Sequence, residues 1–145
     1  MKKIINLCSI FLLLLIAANT NAQTFTVKVQ VVNHPGGKIV FGFIQGYNFT
    51  AIDSSMMIQS FGILEFAFPP NSHPGVYRIN LGQTAAAKIL NEPPQMFDFI
   101  FDNESIVFET DFKAPVENLK VIKSKENLAW FEFLTKDKII RQNIE

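Results

Sequence analysis

Apolar and polar residues alternate along most of this chain, and the period changes only near residue 124. "TFTVKVQVV" (24–32) puts Phe25, Val27, Val29 and Val31 on one face and Thr24, Thr26, Lys28 and Gln30 on the other, which predicts a half-buried strand. "NHPGG" (33–37) is a turn by composition, with Pro fixing φ and Gly admitting φ > 0. "KIVFGFIQG" (38–46) is apolar enough to be covered on both faces, and the two segments predict a first hairpin.

"FTAIDSSMMIQS" (49–60) and "FGILEFAFPP" (61–70) predict the next pair of strands. In the second, Ile63, Phe66 and Phe68 are core candidates, and the alternation slips near Leu64, where a bulge would fit. After the turn "NSHPG" (71–75), "VYRINLG" (76–82) sets Val76, Arg78 and Asn80 opposite Tyr77, Ile79 and Leu81. "QTAAAKILNEPPQ" (83–95) is either a short helical turn or a loop. "MFDFIFDNE" (96–104) and "SIVFETDF" (105–112) predict two strands joined by an Asp-Asn-Glu-Ser turn, and "LKVI" (119–122) a last short one after the break "KAPVEN". Seven or eight short strands at spacings near ten residues predict a mainly β fold, an antiparallel β-sandwich or open barrel with a C-terminal helix.

The helix begins at Ser124, a good N-cap, with Glu126 placing negative charge in the first turn. Leu128, Phe131 and Leu134 recur on one side and are expected to rest on the sheet, with Trp130 beside them. Phe133, Ile140 and Ile144 fall on another side, which predicts that something else covers it.

Residues 1–22 stand apart from this pattern. "MKK" followed by "IINLCSIFLLLLIAA" and "NTNAQ" has the charged start, the apolar core and the small residues (Thr20, Ala22) of a signal peptide cleaved after Ala22. The expected organisation is a signal peptide (1–22), a β-sandwich domain (23–123) and the start of a helical linker (124–145). The expected address is the periplasm or cell envelope of a Gram-negative bacterium, with membrane contact only through the signal peptide. The only cysteine, Cys8, lies inside the signal, too early for a lipoprotein anchor. The mature chain is then expected to hold neither a disulfide nor a thiolate nucleophile. Phe, 15 in the whole chain and 14 of them after residue 22, supplies the burial that staples would otherwise provide.

Whole-chain charge balances at 13 basic against 13 acidic residues. Without Lys2 and Lys3 the mature part is slightly acidic, with no basic stripe to attract nucleic acid.

Candidate chemistry is sparse. His34 and His73 each sit in a His-Pro-Gly turn and read as exposed turn residues, two ligands short of a metal set. Asp53, Ser54 and Ser55 lack a nucleophile elbow and read as residues bonding the local backbone. Asp98, Asp102, Glu104, Glu109 and Asp111 form an acidic run that could hold paired carboxylates, but read more simply as solvated faces of a hairpin. Asn48-Phe-Thr and Asn103-Glu-Ser match the N-glycosylation sequon. No catalytic, cofactor-binding or metal-binding residue is assigned, and no cofactor is expected.

Asp53-Ser54, Gly62 to Phe66, Pro74-Gly75-Val76-Tyr77 and Ser124-Lys125-Glu126-Asn127 occur in an order that resembles a known family. It is the N-terminal domain of unknown function that precedes the thioredoxin-like domain of TlpA/ResA-like, AhpC/TSA-type exported thiol–disulfide proteins. The resemblance spans nearly all of the mature chain. It implies a non-catalytic accessory or binding module, with the helix from Ser124 leading toward a redox domain. Relatives carry a Cys-x-x-Cys in that domain and this sequence has none, so their activity is carried over to no residue here. The alternative expectation is a stand-alone secreted binding protein that dimerises through its C-terminal helix.

Overall fold

A computed structural model describes residues 24–58 and 60–142. The expected signal segment with Cys8, and Ile144 of the helix, lie outside the described residues. Eight strands and two helices follow one another: β1 (Thr26–Val32), β2 (Gly37–Gln45), β3 (Asn48–Met57), β4 (Gly62–Ala67), β5 (Gly75–Gly82), α1 (Ala85–Ile89), β6 (Gln95–Phe101), β7 (Ile106–Asp111), β8 (Lys120–Lys123) and α2 (Lys125–Gln142).

The strands form two four-stranded sheets, ordered β4-β1-β7-β8 and β3-β2-β5-β6. The fold is therefore the mainly β sandwich expected, and the sheets do not close into a barrel. Alternation sends Val27, Val29 and Val31 of β1, Ile39 and Phe41 of β2, Tyr77, Ile79 and Leu81 of β5 and Phe97, Phe99 and Phe101 of β6 into one shared core. Phe41 stacks on Phe66 across the two sheets at a 5.5 Å centroid distance, with Tyr77 and Phe99 alongside. Aromatic contacts of this kind add to area burial in a chain whose core holds no disulfide.

Strand pairing differs from expectation. β1 and β2 do not form a hairpin: β1 pairs with β4 antiparallel and with β7 parallel, so it lies inside its own sheet. The loop from Asn33 to Gly36 instead carries the chain from one sheet to the other. Asn33 has φ 57°, which ends the alternation of β1 and turns His34 inward, where the ring is 3 % exposed. A two-residue turn, Gly46-Tyr47, joins β2 to β3 in the true hairpin, with Gly46 at φ 61° in the first turn position.

β3 and β4 likewise belong to different sheets, and β6 and β7 are joined by a turn that crosses between sheets. The bulge expected near Leu64 is absent from the register between β1 and β4. Leu64, Phe66 and Phe68 are buried, while Ile63 faces solvent. The alternation through β4 is regular with Leu64 as its inward phase. A shift falls instead between Phe41 and Gly42, opposite β3. Residues 83–95 contain the short helix α1, whose start is capped by Thr84 Oγ1 accepting from the Ala87 N–H.

Candidate functional site

Each chemistry-bearing residue has a place in this frame, and few of them meet. His34 lies between the sheets: its Nε2 is 2.8 Å from the Leu81 carbonyl oxygen, and its Nδ1 accepts from the Gly36 N–H at 3.0 Å. With Nδ1 accepting, Nε2–H is the donor to Leu81. The ring also meets Phe112 edge-on at 5.0 Å. The exposed-turn reading of His34 is therefore wrong, because both ring nitrogens bind backbone groups in the interior.

His73 is exposed, just before β5, whereas His34 contacts the far end of that strand. At roughly 3.3 Å per residue the length of β5 keeps the two rings about 20 Å apart. Among the described residues no group of three or more His, Cys, Asp or Glu is placed to hold a metal ion.

Asp53 Oδ1 accepts from the Ser54 N–H at 2.7 Å, the local backbone role expected. The acidic run is divided. Asp98 lies on the outer face of one sheet in a bidentate ion pair with Arg78, at 2.6 and 2.9 Å. That hydrogen bonding raises the Arg78 pKa. Glu109 and Asp111 lie on β7, on the outer face of the other sheet, because Ile106, Phe108 and Thr110 take the inward positions. The Asp111 carboxyl is held below the usual range by the backbone N–H of Lys113, with a further hydrogen bond from Asn33. The acidic strands do not make one solvated hairpin, since the two sheets stand about 10 Å apart with the core between them.

At the loop end of the sandwich, Phe43, Ile52, Pro69, Pro70, Pro74 and Tyr77 border a hollow of about 430 Å³. The Ser72 hydroxyl donates to the Pro69 carbonyl at 2.8 Å and the Tyr77 hydroxyl to the His73 carbonyl at 3.0 Å. Both hydroxyls at its rim are thus already engaged with the backbone.

The polar constellation that does converge is at the start of α2. Ser124 Oγ accepts from the Asn127 N–H at 3.2 Å, the expected N-cap. The same oxygen accepts from Asn127 Nδ2 at 2.8 Å and donates to Glu104 Oε1, in the turn between β6 and β7. Asn127 is fully buried, and its amide pairs with both main-chain groups of Ile100. Oδ1 accepts from the Ile100 N–H at 2.8 Å, and Nδ2 donates to the Ile100 carbonyl at 2.7 Å. β6 is the edge strand of its sheet, so this side chain continues the ladder where the next strand would be.

Tied there, α2 meets the sandwich at the edge strand β6. Among the described residues, Phe131 is the partly buried apolar residue of α2 that packs against the core. Leu128 and Leu134, expected to rest on the sheet, are 46 % and 38 % exposed. Phe133 and Ile140, seven residues apart on another side, are 65 % and 58 % exposed, and Trp130 is half-exposed. No helix among the described residues is long and apolar enough to cross a membrane.

Sequence reasoning named Asn127 in the motif that opens the helix and Glu104 in the acidic run but foresaw neither one's contacts, and it missed the interior role of His34. An Asn in the first turn, where Glu or Ala would serve helix formation better, was the one signal available for the first of these. No protein family, curated protein or solved structure matches this chain.

Proposed function

We propose that this chain is an exported, non-catalytic accessory or binding module, similar to the N-terminal domain of a thioredoxin-like (AhpC/TSA-type) thiol–disulfide protein, with α2 as its docking element. The carrying observation is the exposure of Phe133 and Ile140 on a side of α2 that Phe131 does not share. Apolar side chains repeated along one helix side are a recognised form of partner surface. The occupant fitting the resemblance is a thioredoxin-like domain following the helix in a longer chain. The competing occupant is a second copy of this chain, paired helix to helix.

Reading the coding sequence beyond codon 145 separates the two. If an in-frame domain with a Cys-x-x-Cys follows, Phe133→Ser with Ile140→Ser should loosen it, seen as faster proteolysis between the domains and a larger radius in X-ray scattering. If a stop codon follows, the first occupant falls, and the same double substitution should turn a dimer into a monomer by light scattering. A monomer at every concentration, with no following domain, would remove both occupants. Export is tested separately by mass spectrometry of the periplasmic fraction, where a chain starting at or near Gln23 is expected. A product retaining Met1 to Ala22 would refute cleavage.

A further inference from the structure

Polar contacts tie the start of α2 to the sandwich. Among the described residues of the helix Asn127 is the one buried residue, and Phe131 is partly buried against the core. We propose that Ser124 and Asn127, with Glu104 and Ile100, form a releasable clasp that sets the direction of α2, making the helix a hinged arm on a sandwich that stays folded when the clasp opens.

Three features carry this. The Asn127 amide satisfies both main-chain polar groups of Ile100, so helix and edge strand are in register at one residue. The Ser124 hydroxyl links the Asn127 amide to the Glu104 carboxylate, so the cap of the helix and its attachment to the β6–β7 turn share one oxygen. Ile100 lies on an edge strand with its side chain outward, while Phe97, Phe99 and Phe101 point into the core. Water can therefore replace Asn127 at Ile100 without opening the core, and release stays local.

The use of such an arm, to aim whatever covers Phe133 and Ile140, rests on the docking reading; the clasp itself does not. Its test is read on the full chain at a dilution where it is monomeric, so either idea can fail alone.

Ser124→Ala leaves the two Asn127–Ile100 hydrogen bonds chemically possible. If the clasp acts as a unit, exchange of the Ile100 amide hydrogen should accelerate about five- to tenfold, the effect of losing one helix cap, with the Phe99 and Ile79 amides unchanged. Asn127→Ala should raise acrylamide quenching of Trp130, the only tryptophan, with the far-UV β signal and the cooperative thermal transition retained. Unchanged exchange at Ile100 in Ser124→Ala, or unchanged Trp130 quenching in Asn127→Ala, would overturn the proposal. So would equal acceleration at Phe99 and Ile79, or loss of the sandwich transition, since the clasp would then be part of the core.

Discussion

Replacing His34 with Ala separates two readings of the same residue. If His34 were exposed, the change would fall within about 0.5 kcal/mol, as for other surface substitutions. In the structure the imidazole is 3 % exposed, donates from Nε2 to the Leu81 carbonyl and accepts at Nδ1 from the Gly36 N–H. Alanine leaves both backbone groups without that partner. Leu81 is buried, so its carbonyl carries a desolvation penalty of about 1–3 kcal/mol, while Gly36 is half-buried and water can take over there. Loss of the edge-on contact with Phe112 removes about 0.5–1.5 kcal/mol more, and the vacated volume adds a cavity cost. A loss of about 3 kcal/mol is expected, near 10 °C in Tm for a domain of this size. The assay is urea unfolding followed by far-UV circular dichroism, which reports the sandwich, whereas Trp130 fluorescence reports α2. His73→Ala, in an exposed loop, is the control and should stay within about 0.5 kcal/mol. If His34→Ala is as mild as His73→Ala, the ring does not hold the crossing between the sheets, and the account of the β1–β2 loop is wrong.

Gly42→Ala should destabilise by about 1–3 kcal/mol, because an added Cβ would meet the Thr50 carbonyl and lie 2.7 Å from the Phe49 ring, at the bulge between β2 and β3. An unchanged urea midpoint would show that the strands shift freely there. Asp111, held by Lys113 N–H and Asn33, should titrate below the ordinary aspartate range by NMR. With a depressed folded pKa, its contribution is present above the unfolded value and fades as pH falls through the folded one, so Asp111→Asn should reduce acid sensitivity only below about pH 4. A midpoint at or above the ordinary value would refute the arrangement of that turn.

The phase of alternation, and hence which side of each strand is buried, was largely legible in the residues themselves. Val27, Val29 and Val31, and Tyr77, Ile79 and Leu81, face the core as their spacing requires. The cap at Ser124 was equally local, since a hydroxyl and the third N–H of a helix meet within one turn. In "FGILEFAF" the phase was ambiguous because Ile63 and Leu64 are both apolar, and the register against β1 chose Leu64.

Only the tertiary structure decided which strands are neighbours. Period two marks a buried face and says nothing about who lies beside the strand, and β1 finds β7 in parallel some 80 residues later. The inward turn of His34 depends on the αL conformation of Asn33 and on a carbonyl brought up by β5. The position of α2 depends on an Asn that replaces a missing strand at the edge of β6. In both cases a side chain is bonded to a backbone group far along the chain, a pairing that neither propensity nor periodicity encodes.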